Sequence, residues 1–248
     1  MDTNELASKK PHLHDALKFY DKVLNFLESA EAYRYEPSKD DICYKRDVAE
    51  ALLKELIKAL EIPEENIQPL KEALLFGRID FRRLPFNEIP SFQSPYHEDE
   101  LASILYILGM PFLNWSAASS ENNTAEWENG KCPVCGATPS FAVMKKEDKK
   151  TLLCSFCGSK GVWRRIGCPA CLEINGSKID ILEAEDEAGV RLELCNTCKC
   201  YIKAADEKLL SDNTSYLLDL MTVPLDIVAQ QKGFKRMSPN PLGLKNLV

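Results

Sequence analysis

Apolar and polar positions alternate with a helical period through the first half of the chain. Leucine, alanine and tyrosine side chains recur every three or four residues from Leu13 to Leu27, which predicts an amphipathic helix. A second apolar stripe runs from Val48 to Leu60. We expect its helix to begin at Ser38, where the sequence resembles a capping box, and to end before Pro63.

Two further helices are predicted in this half. The first covers Pro69 to Phe76, with Gly77 placed for a left-handed C-terminal cap. The second contains the apolar run from Leu101 to Leu108 and is expected to end at Gly109-Met110-Pro111, because proline removes a backbone donor. No titratable cluster with ligand or catalytic spacing lies here, so we predict a helical packing domain over residues 1–115. The alternative is an aromatic-rich partner surface around Phe81, Phe86 and Phe92.

The pattern changes after this domain. Residues 116–130 are small and polar, which is typical of a linker. Short apolar runs follow and predict four strands, at Ser140–Met144, Thr151–Leu153, Lys178–Leu182 and Val190–Leu194. Beyond Lys203 the chain is predicted to return to helix, so that residues 204–248 form a C-terminal helix and an extended tail. The predicted fold class is therefore α+β.

Cysteine spacing gives the most specific signal in the chain. Eight of the ten cysteines form four Cys-x-x-Cys pairs, at Cys132/Cys135, Cys154/Cys157, Cys168/Cys171 and Cys195/Cys198. Eighteen residues separate the first pair from the second, and 23 separate the third from the fourth. Hairpin loops of roughly 15–20 residues bring two such pairs together around one tetrahedral metal ion.

Pairing in order therefore predicts two four-cysteine metal sites in tandem rubredoxin-like or zinc-ribbon modules. The first module is residues 131–166, with Cys132, Cys135, Cys154 and Cys157 as ligands. The second module is residues 167–203, with Cys168, Cys171, Cys195 and Cys198 as ligands.

The second site is expected to be the less regular one. Gly136 and Gly158 follow the second cysteine of each pair in the first module, where the turn can require a positive φ. Leu172 and Lys199 take the corresponding places in the second module, and Cys200 adds a fifth thiol. Cys200 is interpreted as a spare small residue, with exchange into the ligand set as the alternative.

An all-sulfur ligand set suits either a mononuclear iron or a zinc ion. All four positions are filled by sulfur and the three histidines lie outside the cysteine region, so a water-activating metal is not expected. We find no Gly-rich phosphate loop and no Gly-x-Ser-x-Gly, and we predict that the protein is not an enzyme. Thiol–disulfide exchange is the enzymatic alternative, and it needs accessible, metal-free thiols.

The distribution of charge limits which functions the protein can have. The formal net charge of −7 disfavours a general binder of nucleic-acid phosphates. Residues 131–203 carry 12 Lys or Arg against 9 Asp or Glu, which leaves 19 against 29 elsewhere, and this local excess is interpreted as compensation for thiolates. A nucleic-acid-binding or transcription-associated zinc ribbon stays as the alternative, with the lysines of 145–150 and Trp163-Arg164-Arg165 as candidate contacts.

The N-terminal segment is acidic and lacks the apolar region of a secretory signal, and no run of 18 apolar residues occurs. These features predict a cytoplasmic protein without membrane insertion. In a reducing compartment, cysteine pairs of this kind more often bind metal than form disulfides.

These motifs resemble the FdhE-type accessory proteins of formate dehydrogenase maturation. The resemblance begins in the cysteine segments, which are Cys132-Pro133-Val134-Cys135-Gly136, Cys154-Ser155-Phe156-Cys157, Arg165 with Cys168-Pro169-Ala170-Cys171, and Cys195 through Lys203. It continues in a closing segment, which consists of Leu225-Asp226, Gly233-Phe234-Lys235-Arg236 and Asn240-Pro241. A generic zinc ribbon has no reason to carry such a tail.

The resemblance implies a chaperone-like assembly factor. Proteins of this family bind the catalytic subunit of a molybdenum or tungsten formate dehydrogenase before that subunit is exported or assembled. Iron is the metal usually associated with their paired sites. For this chain, the resemblance implies that the eight paired cysteines are ligands and that formate dehydrogenase is the partner.

Overall fold

The computed structural model describes residues 3–36, 45–121, 126–145, 149–183, 189–212 and 214–240. Helices fill the first half, six strands of a seven-stranded sheet follow, and short helices precede the last strand. The α+β class with N-terminal helices and two cysteine clusters in the C-terminal half is therefore confirmed.

The helical stripes seen in the sequence correspond to helices in the structure. The described part of the first half contains α1 (Thr3–Lys9), α2 (His14–Ala30), α3 (Arg46–Leu60), α4 (Gln68–Leu75) and α5 (Glu98–Ala118). In α3 the predicted leucines point inward, since Leu52 and Leu56 are fully buried. The predicted start of this helix at Ser38 lies outside the described residues. Gly77 after α4 has a φ of 66°, as its capping position requires.

The predicted end of α5 at Pro111 is wrong. The helix continues through Pro111 to Ala118, and the added turns bury Phe112, Leu113 and Trp115. A proline inside a helix costs about 3 kcal/mol because one hydrogen bond is lost. Burial of three large apolar side chains, at about 1.5–3 kcal/mol each, outweighs that cost.

Among the described helices, α5 is the one long and apolar enough to cross a membrane by length and composition. In this structure 78% of its most apolar 18-residue window is buried inside the protein. It is the central helix of the main hydrophobic core, which is the reason for its apolar composition on every side.

The strands form one sheet that joins the two cysteine modules. They are β1 (Phe141–Met144), β2 (Lys149–Leu153), β3 (Lys160–Arg164), β4 (Ile179–Glu183), β5 (Val190–Cys195), β6 (Cys200–Asp206) and β7 (Lys235–Arg236). The order is β3-β2-β1-β6-β5-β4, with β7 paired to β6. Each module therefore supplies an antiparallel three-stranded unit, and parallel pairing of β1 with β6 makes the two units continuous.

Two strands of each module were expected, and the third was not. β3 and β6 follow directly after the second cysteine pair of their module, so the turn around the cysteines is also the turn of a hairpin. β6 extends past Lys203 to Asp206, and the return to helix comes at Glu207. The predicted boundaries at 116–130 and at 166/167 stay predictions.

The two faces of the sheet contact different cores. Ala142, Leu152 and Ile202 pack into the main core with the N-terminal helices. Phe141, Val143 and Tyr201 point the other way, toward the C-terminal helices. Those helices are α6 (Glu207–Asp212), α7 (Ser215–Met221) and α8 (Val223–Gln231). Strand alternation explains the division, because successive side chains point to opposite faces.

One of the lysines named above as candidate nucleic-acid contacts is buried. Lys150 is 0% exposed on β2 and forms an ion pair with Glu193 of β5, which also accepts a 3.0 Å hydrogen bond from Arg191. Its backbone partner on β1 is Met144, so it faces the main core. The pair links the two modules across the sheet, and Lys149 beside it is exposed.

Gly130 lies where the segment before the first cysteine pair touches the second module. Its φ is 65°, and a methyl group on its Cα would stand 2.1 Å from the backbone oxygen of Pro169. Gly77 has nearly the same φ, 66°, but a methyl group there would meet no atom within 4 Å. Comparison of alanine substitutions at these two glycines therefore distinguishes the cost of backbone strain, which both share, from the cost of a steric clash, which only Gly130 has.

We expect Gly130→Ala to destabilise the protein well beyond Gly77→Ala. The shared left-handed conformation costs about 1–2 kcal/mol for a residue with a Cβ. Gly130→Ala must in addition displace the backbone between Cys168 and Cys171. The measurement is urea denaturation of both variants of the metal-loaded protein. Equal losses of unfolding free energy would show that the Pro169 contact is unimportant.

Candidate metal centres

The structure brings the eight paired cysteines into two groups of four, the same two sets that the spacing predicts. Within each group the Sγ atoms all lie within 4.8 Å of one another. Selected Sγ–Sγ distances are 3.5 Å for Cys132–Cys157, 3.4 Å for Cys135–Cys154, 3.6 Å for Cys168–Cys198 and 3.7 Å for Cys171–Cys195. A tetrahedral site with metal–sulfur bonds of about 2.3 Å has Sγ atoms about 3.8 Å apart, so both groups have the size of a tetrathiolate.

All four cysteine turns have the same backbone geometry. The residue after the second cysteine is left-handed in each, with φ of 76° at Gly136, 71° at Gly158, 63° at Leu172 and 58° at Lys199. Its N–H donates to the carbonyl of the first cysteine of the pair, over 2.8–3.0 Å. The looser second site expected from the missing glycines is therefore not seen in the backbone, since Leu172 and Lys199 adopt the conformation that glycine would adopt.

Cys200 lies outside the second group of four. Its Sγ is 3.8 Å from the carbonyl oxygen of Cys198. Burial raises the pKa of the Cys198 thiol, and the backbone N–H of Cys200 opposes that shift without reversing it. Exchange of Cys200 into the ligand set is not supported by this arrangement.

Ser159 holds the position in the first site that Cys200 holds in the second, and its buried hydroxyl lies 3.1 Å from Cys157 Sγ. With a thiolate at Cys157, this hydroxyl is the donor. Sequence reasoning did not identify Ser159. The sequence contains a signal for this residue, because a serine two positions after the second cysteine of a Cys-x-x-Cys pair is placed to donate a hydrogen bond to the sulfur of that cysteine.

The chemistry of the donor set fits a metal cation. In the metal-free protein the pKa of Cys154 is raised well above its ordinary value by contact with the Cys132, Cys135 and Cys157 thiols and by burial. Burial likewise raises the pKa of Cys168. Four thiols at this spacing cannot all ionise against one another. A cation that prefers sulfur removes the obstacle, since it binds the thiolate form.

The first centre is enclosed by the N-terminal helical half of the protein and by α7. Phe86 covers one turn, and a methyl group on Gly136 would be 2.6 Å from its Cζ. The ring of Tyr106, from α5, contacts Phe156 edge-on, with centroids 5.2 Å apart. The Tyr216 hydroxyl, from α7, donates to the backbone carbonyl of Ser155.

The second centre is open by comparison. Cys171 is exposed, whereas Cys132, Cys154 and Cys157 of the first centre are buried. Beside Cys171, Leu172 is 47% exposed and does not cover the sulfur. The two centres thus have equal internal geometry and unequal access from solvent.

We expect a chelator to remove metal from the second centre before the first, because Cys171 gives it a point of attack. The measurement is alkylation of newly freed thiols at intervals, with the modified cysteines identified by mass spectrometry. Cys200→Ser removes the nearby non-ligand thiol and should leave the order unchanged. Simultaneous release, or earlier modification of Cys154 and Cys157, would contradict the difference in access.

Comparison with known proteins adds a family to this geometry. Residues 166–243 match the family model "FdhE, C-terminal domain". An FdhE homolog of Aquifex aeolicus is 28% identical over 150 residues, covering 59% of this chain and 53% of the relative. The homolog of Stutzerimonas stutzeri is 32% identical over 116 residues, and this alignment covers 45% of this chain and 37% of the relative. The homolog of Pectobacterium carotovorum is 25% identical over 198 residues, and this alignment covers 77% of this chain and 63% of the relative.

The fold is also shared with a solved structure, "the FdhE protein from Pseudomonas aeruginosa", with a TM-score of 0.53 and 21% identity. That match covers 98% of this chain and 80% of the other. The sequence alignments span roughly a third to two thirds of the relatives' own lengths. The matched region contains the second cysteine group and the closing segment, so this chain is similar in sequence to FdhE proteins over that region and shares the fold of the solved FdhE structure.

Proposed function

We propose that this chain is a metal-binding accessory protein in the maturation of formate dehydrogenase, and that it binds the catalytic subunit in the cytoplasm. The observation that carries the proposal is the combination of two four-cysteine groups with the FdhE C-terminal domain in one continuous sheet. A sheet shared by both modules supports a rigid surface suited to recognising a partner.

We assign the eight paired cysteines as the metal ligands, with iron as the metal and zinc as the alternative. Each centre would hold a single ion, and the ion would supply the positive charge that allows all four thiols to ionise. Anaerobic purification followed by metal analysis and a visible spectrum tests this assignment. Two iron ions per chain with thiolate charge-transfer bands support iron, a colourless protein with two zinc ions supports zinc, and a metal-free protein refutes both.

The geometry supports a role without catalysis. In each group all four tetrahedral positions are taken by sulfur, which leaves none for a substrate or an activated water. Thiol–disulfide exchange would require the cysteines to be metal-free.

The nucleic-acid alternative loses support from the structure. Two of its candidate contacts, Lys150 and Trp163, are buried at 0% and 3% exposure. A buried lysine paired with Glu193 neutralises no phosphate, and a buried indole stacks on no base. Two other candidate contacts have partners within the protein, since Arg164 lies 4.9 Å from the centroid of the Trp163 ring and Lys149 lies 3.7 Å from Glu126.

Binding to the partner is tested by co-purification with the catalytic subunit of a formate dehydrogenase from the same organism. We expect the wild-type chain to retain the subunit, and a Cys168→Ser/Cys171→Ser variant to lose it if the second centre is required. Cys200→Ser is the matched control, since it removes a thiol outside the group of four. Failure of the folded, metal-loaded wild-type chain to bind any such subunit would refute the proposed function.

A further inference from the structure

The two edges of the sheet differ in how their backbone groups are used. At the β3 edge, the Trp127 N–H donates to the Val162 carbonyl over 3.0 Å, and the Trp127 side chain is buried. At the opposite edge, β4 pairs with β5 alone, and no backbone hydrogen bond from the described parts of the chain reaches its outer side. One edge is closed and the other is open.

The register identifies which groups of β4 point outward. The Asn196 N–H donates to the Lys178 carbonyl over 2.8 Å, which places the backbone groups of Lys178 toward β5. Because antiparallel pairing alternates, residues 180 and 182 also face β5. The N–H and C=O groups of Ile179, Ile181 and Glu183 therefore point away from the sheet.

β4 lacks two of the features that commonly protect an edge, a proline and a β-bulge. Its sequence, Ile-Asp-Ile-Leu-Glu, contains neither proline nor lysine, and its register with β5 is unbroken by a bulge. Ile181 is 51% exposed, and Ile174, which precedes the strand, is 64% exposed. An open edge with exposed β-branched side chains can add a further strand from a partner.

The charge of β4 indicates what kind of strand it would accept. Asp180 and Glu183 are exposed, and the strand has no basic residue. Asp180 also accepts a 2.7 Å hydrogen bond from the Asn196 amide, which holds the carboxylate in place without neutralising it. Opposite charges on paired strands stabilise a sheet, so basic side chains suit the positions facing these acids.

We propose that the β4 edge is a docking site for an extended segment of a partner protein in which basic side chains lie three residues apart, with β-branched side chains between them. The inference rests on the proposed function in so far as that partner is the catalytic subunit. A second copy of this chain is a poorer occupant, because pairing β4 with itself would bring four carboxylates together, and like charges across strands are destabilising.

The test uses the full metal-loaded chain and two synthetic peptides, one built from Lys-Val-Val repeats and one built from Glu-Val-Val repeats, so that charged side chains lie three residues apart. We expect the basic peptide to bind and to slow amide exchange at Ile181 and Glu183, and the acidic peptide not to bind. Ile181→Pro removes an outward N–H without touching the β5 ladder, and loss of that hydrogen bond should weaken binding about tenfold. Ile181→Thr keeps the N–H and should bind within a few-fold of wild type.

Charge reversal, Asp180→Lys/Glu183→Lys, should exchange the preference of the two peptides, and it preserves a readout if the proline variant fails to fold. Equal binding of both peptides, or binding unaffected by proline and charge reversal, would overturn the docking site. The proposal would also be overturned if the wild-type protein formed a dimer that Ile181→Pro converted to a monomer, because β4 would then pair with a second copy of this chain. Co-purification of the catalytic subunit at wild-type level by these variants would refute the location while leaving the proposed function intact.

Discussion

Removal of metal from both centres is expected to unfold the sheet of this protein. Three cysteines of the first group, Cys132, Cys154 and Cys157, belong to the main hydrophobic core, so their centre forms part of the packing and is not an appendage. Structural zinc contributes about 10–16 kcal/mol in small peptides, whereas a whole domain is stable by about 5–15 kcal/mol. Loss of two such centres therefore exceeds what the remaining contacts supply.

The measurement is hydrogen exchange of the strands, anaerobically, with and without a chelator. Protection should be lost along β1, β2, β5 and β6 together, because parallel pairing of β1 with β6 couples the modules. A single-centre comparison sharpens the result: Cys157→Ser should destabilise more than Cys171→Ser, since Cys157 is buried and Cys171 is exposed. A metal-free chain with unchanged exchange would show that the thiols pack adequately alone.

The grouping of the cysteines could be predicted because it depends on short-range chemistry. A Cys-x-x-Cys turn needs only a few residues, and the hairpin loop between pairs limits which turns can meet. The left-handed residues Leu172 and Lys199 could not be judged in this way. Their strain of about 1–2 kcal/mol is acceptable only because the whole turn is fixed by backbone hydrogen bonds and by the neighbouring strands.

Features that depend on contacts between distant parts of the chain could not be predicted from the local sequence pattern. The continuation of α5 through Pro111 depends on a core that receives Trp115, and the burial of Lys150 depends on Glu193, 43 residues away in the chain. The parallel pairing of β1 with β6 joins residues more than 60 positions apart, and no periodicity encodes it. The closing segment was only partly predictable. Its residues were recognised by their resemblance to a known family, but their structural role depends on contacts between distant parts of the chain.

That role is a buried network of charges beneath β6. Lys203 lies 2.5 Å from Asp226 and 2.6 Å from Asp219, and Arg236 contacts the same two carboxylates at 2.9 and 2.5 Å. Burial acts to raise the pKa of the Asp219 carboxyl, but the charges of Arg236 and Lys203 outweigh it and hold that pKa below its ordinary value. Two cations and two anions balance, so the network is neutral as a whole.

We expect Asp226→Leu to destabilise the protein by about 3–5 kcal/mol, because it leaves Lys203 and Arg236 buried with one carboxylate between them. The Tyr201 hydroxyl, which donates to Asp226 over 2.7 Å, also loses its acceptor. Urea denaturation of the metal-loaded protein measures the change. Asp80→Ala is the control: it removes a largely exposed ion pair with Arg82, worth less than about 1 kcal/mol.

A second substitution distinguishes unbalanced charge from lost packing. Asp226→Leu/Lys203→Met removes one anion and one cation, so Arg236 and Asp219 stay as a neutral pair at 2.5 Å. If the cost of Asp226→Leu comes from unpaired charge, the double variant should recover much of the lost stability, as apolar replacement of buried ion pairs often does. If the double variant is less stable than the single one, the network contributes through its hydrogen bonds, and Lys203 also anchors α7 through its 2.8 Å bond to the Asp219 carbonyl.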